Sequence, residues 1–210
     1  MVVRPVSPDR LVRELADRLA ATRPAARLRV AVDGPAAAEP GRLAEALTDP
    51  LRVLGRPVLH VRADDFLKPA SVRLEPGRTN PDAFYERLDD VGLRREVLAP
   101  AGSAGSGRVL PTLWDAATDR ASRVPYVQLP ANAVVLVSGS LLLGGVLPFD
   151  LTVHLVLSPA ALRRRTRPDE AWTLPAYDRY HREVDPAGFA DVVVRLDDPR
   201  HPALVAPDRG

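Results

Sequence analysis

The stretch Leu28–Leu47, LRVAVDGPAAAEPGRLAEAL, constrains this chain more than any other. It reads as an apolar strand over Leu28–Val32, a Gly-Pro-Ala turn, and a helix starting near Gly41 with Leu43, Ala44 and Leu47 on one face. A strand, a small-residue loop and a helix in that order form the frame in which backbone amides and a helix N-terminus hold a phosphate. Set without gaps on the pattern GxxxxGK[ST], Gly34 takes the first glycine, Glu39 the second, Pro40 the lysine and Gly41 the Ser or Thr. The frame is present and its polar chemistry is replaced.

The replacements have estimable consequences. Pro40 has no amide hydrogen, and one lost hydrogen bond to a charged phosphate is worth about 1.5–3 kcal/mol. A carboxylate from Glu39 at about 4 Å from a phosphate, with an effective dielectric near 20, repels it by on the order of 4 kcal/mol. Together these reach about 5–7 kcal/mol, or roughly three to five decades of affinity. Arg42, two residues beyond the lost lysine, and Lys68, four residues after Asp64, are the candidate cations for compensation. The alternative is that Glu39 occupies the anion position itself and caps the helix that Pro40-Gly41 begins.

A chain of 210 residues, 46% hydrophobic, has room for one substantial α/β domain. Cysteine is absent, which removes disulfides, thiolate metal sites and a cysteine nucleophile together. Acids and arginines are interleaved and no basic stripe with aromatics appears, so the net charge of +2 does not point to nucleic acid. No secretory leader is visible, and the uncharged run Ala133–Phe149 is short for a membrane span and broken by Gly and Pro. A cytoplasmic protein is the expectation.

Along the chain, Ser7-Pro8 starts a helix with a Leu11, Leu15, Leu19 stripe. Pro57–Arg62 is a second strand that ends in Ala63-Asp64-Asp65-Phe66, where open α/β sheets place their ligands. Pro69–Pro81 is a polar loop with Arg73 and Arg78, and Pro81 opens a helix to about Leu98. Arg108–Leu113 and Pro125–Leu129 read as a hairpin on the margin of the sheet. Ala133–Val137, Leu151–Leu157 and Asp191–Leu196 are further strands, and helices follow from Pro159 and over Leu174–Glu183. Continuously apolar strands alternating with helices predict a mostly parallel sheet covered on both faces. His60 and His154, inside strands, read as core histidines, and no spacing of His and carboxylates suggests a metal site.

In order, AVDGPAAAEPGRLAEAL, RADDFLKP, RTNPDAFY, LWDAATDR, VVLVSGS and LPAYDRYHREVDPAGFADVVVRLDDP resemble the uridine kinase branch of the P-loop nucleoside kinases, in particular its divergent actinobacterial members. The resemblance implies a P-loop NTPase-type three-layer α/β sandwich: a mostly parallel five-stranded sheet, helices on both faces and a small β-hairpin. It implies one kinase-like domain over 1–210, with a hairpin lid at about 106–130 and an arginine-bearing lid at about 159–173. The inherited reaction would be transfer of the ATP γ-phosphoryl group to a nucleoside 5′-hydroxyl, with ATP and Mg2+ as cofactors if the protein is active.

In that reading Asp64 matches the catalytic base, and the other assignment for Asp64 or Asp65 is the cap of a loop. Gly34, Ala38, Gly41, Arg42, Arg163 and Arg167 match the phosphate-binding positions; Arg163, Arg164 and Arg167 read equally well as a solvated helix face. Asp65, Phe66, Tyr85, Trp114 and Asp119 match the acceptor pocket. The ribose-binding Asp and the His of the family are replaced by Thr79 and Asn80, and the acid after the third core strand by Ser138. The competing function is a non-catalytic pseudokinase that binds a small ligand or a protein partner through the retained acceptor pocket. The implied ligand is a nucleotide or nucleoside-like molecule; neither nucleic acid nor membrane is an expected partner, and a homo-oligomer is left open.

Overall fold

The structure is a computed structural model and describes residues 2–206. Its centre is a seven-stranded sheet built from β1 (Val2–Pro5), β2 (Leu28–Asp33), β3 (Val58–Arg62), β4 (Val134–Gly139), β5 (Leu151–Val156), β6 (Val192–Arg195) and β7 (Ala203–Ala206). The spatial order is β1-β7-β6-β5-β2-β4-β3. The five strands from β6 to β3 are mutually parallel, while β7 and β1 extend the sheet in antiparallel pairing. The sheet thus has seven strands and not five. The two additional strands are four-residue segments, and β7 follows the turn-rich DDPRHP, so neither carries a run long enough to register as periodic.

Burial on both faces explains why the central strands are apolar throughout. Val30, Val32 and Leu136 join the core that contains Leu11, Leu15 and Leu19 of α1 (Pro8–Ala21) and Leu47 and Leu51 of α2 (Pro40–Val53). Ala31, Val135 and Val137, one residue out of phase, face a second core with Phe66, Leu93 and Tyr180. The expected start of α1 is in place: the Ser7 hydroxyl accepts from the Arg10 amide and Pro8 opens the helix. No described helix is long and apolar enough to cross a membrane.

The expected helix from Pro81 to Leu98 is not continuous. A short helix α3 (Pro81–Tyr85) stops, and helical turns resume at Asp90. Between them the backbone pairs with the segment after β3: the Lys68 amide donates to Arg87 O at 2.9 Å and the Asp89 amide to Phe66 O at 2.8 Å. Asp89 then caps the next turn by accepting from the Gly92 amide at 2.8 Å. The break draws Phe84 and Arg87 toward the end of β3. The hairpin also differs from the simple one expected, because pairing of 108–109 with 127–128 encloses a second pairing of 114–115 with 120–121, both outside the main sheet. Two further helices complete the frame, α4 (Pro159–Arg165) and α5 (Leu174–Glu183).

Arg56 ties the ends of these layers together. Only 2% exposed, its guanidinium donates to Asn132 O, Ala20 O, Thr22 O and Ala26 O at 2.6–3.1 Å. Burial lowers its pKa, yet arginine starts so far above neutrality that the group stays charged. Ala20 and Thr22 lie at the C-terminus of α1, where a cation is favoured. Replacing Arg56 with Met leaves four carbonyls without this donor and is expected to destabilise the protein by about 3 kcal/mol or more. That corresponds to a melting temperature lower by roughly 6–12 °C for a chain of this size. Arg56→Lys should recover part of the loss, because one ammonium cannot span all four acceptors; thermal denaturation followed by circular dichroism measures both.

Candidate functional site

The end of β2 is fixed by a buried carboxylate. Asp33 is fully buried and accepts from the Leu142 amide at 2.9 Å and from the Tyr180 hydroxyl at 3.1 Å, and it lies 2.7 Å from His154 Nδ1. The same hydroxyl accepts from the Leu143 amide at 2.8 Å. His154 is therefore a core residue with a carboxylate partner. Gly34 follows where β5 passes so close that a Cβ would lie 2.8 Å from Leu155 Cβ, so any larger residue forces β2 and β5 apart.

The loop beyond is folded onto itself. Ala36–Ala38 form a 3-10 turn in which the Ala38 amide donates to Pro35 O at 2.7 Å and the Glu39 amide to Ala36 O at 3.0 Å. The Ala36 amide donates to the Tyr177 hydroxyl at 3.1 Å. Tyr177 is paired in turn with Ser140 Oγ at 3.2 Å, which donates to Gly34 O at 2.8 Å. Because Ser140 spends its proton on Gly34, the chain runs from Tyr177 to Ser140 to Gly34, and the Tyr177 oxygen is left to accept the Ala36 amide. Burial raises the Tyr177 pKa, which keeps this hydroxyl protonated.

Glu39, at φ 56° and ψ 54°, has the left-handed backbone that suits the glycine it replaces. Its side chain makes no capping hydrogen bond to α2, which corrects the expected self-capping. The carboxylate lies 3.4 Å from Arg42 Nη1 instead, with Glu39 52% and Arg42 79% exposed. Solvent therefore screens both charges, and each is less effective at the loop than its sequence position suggests.

On the other side of β4, the turn Ala63–Phe66 presents Asp64 and buries Phe66 completely in the second core. Asp64 Oδ1 accepts from Arg87 Nη2 at 3.1 Å, and Arg62 is 4.0 Å from its other oxygen. Beside Asp64 opens a cavity of about 300 Å³ that reaches Ala36 of the loop. Arg73, Arg78 and Arg87 line it, and an apolar wall is supplied by Phe84, Trp172 and Tyr177. Phe84 packs edge-on against both other rings, with centroids 5.8 and 5.5 Å apart. The guanidinium carbon of Arg87 lies over Phe84, 4.1 Å from its centroid.

Of the residues expected at the site, Asp64 lines this cavity. Gly34, Ala38 and Gly41 belong to the loop. Arg163 and Arg164 are exposed on α4, and exposed Arg167 is held by Asp169 at 2.7 and 3.1 Å. Tyr85 borders a much smaller crevice next to Asp64 and lies beneath Arg179, 4.2 Å from its guanidinium carbon. Trp114 and Asp119 join the hairpin to residue 70: the indole and the Ala70 amide both donate to Asp119 Oδ1, at 3.1 and 2.8 Å. Arg73, Arg87, Phe84, Trp172 and Tyr177 carried no assigned role in the sequence, although Phe84 lies within RTNPDAFY and Arg73 and Arg78 punctuate the loop before it. A larger open groove of about 1190 Å³ lies over β5–β7 beside α5, away from Asp64, with a mixed lining that includes Val156, Val193, Asp178, His181 and Arg182. No group of three or more His, Cys, Asp or Glu among the described residues is placed to hold a metal.

No protein-family model matches the chain, and no curated protein matches it. Among solved structures it is similar to a possible uridine kinase from Bacillus stearothermophilus, with 22% identity, a TM-score of 0.70, and coverage of 87% of this chain and 96% of that one. It is also similar to a D-glycerate 3-kinase from Cryptococcus neoformans, with 18% identity, a TM-score of 0.53, and coverage of 82% and 80%. The chain has the three-layer α/β fold of the P-loop kinases.

Asp65 yields a direct test of the site's electrostatics. Burial raises its carboxyl pKa, with Arg62 pulling the other way and Asp64 and Asp115 adding to the rise. The folded protein thus holds this proton more tightly than the unfolded chain, whose carboxyl titrates near about 3.9. Stability is lost as pH rises from that value through the raised folded one. Asp65→Asn is expected to raise the melting temperature at pH 7 by a few degrees at most, and the gain should vanish at strongly acid pH. Thermal denaturation at the two pH values measures it; an equal gain at both would contradict the assignment.

Proposed function

We propose that this protein is a non-catalytic member of the kinase fold that binds a small molecule in the cavity beside Asp64. The observation that carries the reading is the closed loop: the Ala36 amide is committed to Tyr177, and the Ala38 and Glu39 amides are committed within the turn. Pro40 has no amide hydrogen to offer. The residues present do not fit ATP with Mg2+. The lysine position is Pro40, the metal-binding Ser or Thr position is Gly41, and the position of the acid after β4's apolar run is Ser138, whose hydroxyl pairs with His60 Nε2 at 2.8 Å. The acceptor side, in contrast, keeps an open cavity, a carboxylate and aromatic walls.

Phosphoryl transfer to a nucleoside-like acceptor is the second reading, favoured by the position of Asp64 on the cavity where the fold resemblance expects a base. Isothermal titration with Mg-ATP separates the two. The pseudokinase reading expects binding weaker than about 1 mM, in line with the lost phosphate contacts, and no turnover with a panel of nucleosides. Micromolar Mg-ATP binding, or turnover abolished by Asp64→Asn, would restore the kinase reading.

A further inference from the structure

We propose that the ligand of the Asp64 cavity is a small organic anion, a phosphate monoester or a carboxylate, whose charged group is held by Arg73 and Arg78. The proposal rests on the reading that this cavity is the ligand site. Three arginines line it, and among the described residues only one of them is neutralised: Arg87 is paired with Asp64 and lies over the Phe84 ring. Neither Arg73 nor Arg78 forms an ion pair among the described residues, and Glu170, which also borders the cavity, lies within ion-pairing distance of neither.

Arg73 is the more telling of the two. Its Nε is buried with no hydrogen-bond partner, and its one hydrogen bond, from Nη2 to Ala116 O, is long at 3.4 Å. A buried donor without an acceptor is rare in a folded protein, and a donor on a charged fork calls for an anionic acceptor. Carboxylate and phosphate oxygens match the planar spacing of a guanidinium, so an anion can take two of its N–H groups at once. A neutral ribose hydroxyl would satisfy one donor and leave the charge uncompensated.

The rest of the cavity sets the size and character of the ligand. About 300 Å³ is at the lower end of small-molecule sites, which suits a metabolite-sized molecule. Phe84, Trp172 and Tyr177 supply an apolar surface for the carbon skeleton or ring. A small molecule with an acidic group at one end and an apolar or cyclic body at the other is the chemistry this arrangement recognises.

The test compares matched pairs by calorimetric titration of the full chain: uridine 5′-monophosphate with uridine, ribose 5-phosphate with ribose, and D-glycerate with glycerol. The first two pairs probe phosphate and the third carboxylate. At least one anion is expected to bind more tightly than its neutral counterpart by about tenfold or more, with the preference weakening as salt rises. Arg73→Gln should remove most of that preference, and Arg78→Gln should reduce it several-fold; Arg78 is exposed, so this variant stays informative if Arg73→Gln does not fold. Neutral members binding as well as the anions, or a preference unchanged in Arg78→Gln, would overturn the anion and leave the cavity as the ligand site. Binding by no member would overturn both, and micromolar Mg-ATP binding would overturn the pseudokinase reading alone.

Discussion

The hydroxyl of Tyr177 holds the loop that follows β2. It accepts the Ala36 amide proton and passes its own to Ser140, which closes on Gly34. An anion at a loop of this type depends on amides that are free to converge on it. Here the Ala36 amide is taken by a side chain of α5, and the Ala38 and Glu39 amides by carbonyls of the loop itself. The loop keeps its shape, with glycine-like torsion angles even at Glu39, because that shape is required by the packing of β2 against β5 and by the start of α2. In the proposed reading architecture and chemistry have separated: the first is held by burial, while the second would need polar groups whose positions Pro40 and Gly41 occupy.

Asp33 extends the same logic inward. Its carboxylate joins β2, β5, α5 and the Leu142 amide in one buried cluster. That cluster positions Tyr177, which lies one helical turn before Tyr180 on α5. The loop and the helix that seals it are therefore fixed by a common anchor. On the acceptor side the charge balance is the reverse, with guanidinium groups in excess over carboxylates around one cavity. The anion-binding capacity that the loop lacks is supplied, in the proposed reading, by arginines on the segment between β3 and α3.

Much of the fold was legible in the sequence because it follows from burial. The parallel strands are continuous apolar runs, α1 begins at a Ser-Pro pair, and α5 spans Leu174–Glu183 as expected. The strand count failed at β1 and β7, whose four residues are too few to show a period and whose identity as strands comes from pairing with each other and with β6. The expected helix to Leu98 failed for a related reason. Residues 86–89 find partners in 66–68, a long-range pairing that no local pattern announces. Asp64, which lines the cavity, was legible because it comes just after the apolar strand β3. The arginine set was not, since Arg73, Arg78 and Arg87 are spread over a loop and a broken helix and become neighbours only once that break is made. Glu39 faces Arg42 and not the helix end; sequence position gives proximity to a helix N-terminus but not the direction of the side chain.

The central claim is that the loop from Gly34 to Gly41 is closed by the protein itself. Amide proton and nitrogen resonances of Ala36, Ala37 and Gly41, recorded while Mg-ATP is added, test it most directly. The account predicts that these resonances stay in place at millimolar nucleotide and that the Ala36 amide shifts on Tyr177→Phe, which removes its acceptor. Saturable movement of the three loop amides with Mg-ATP, at micromolar concentration and in wild-type protein, would contradict it.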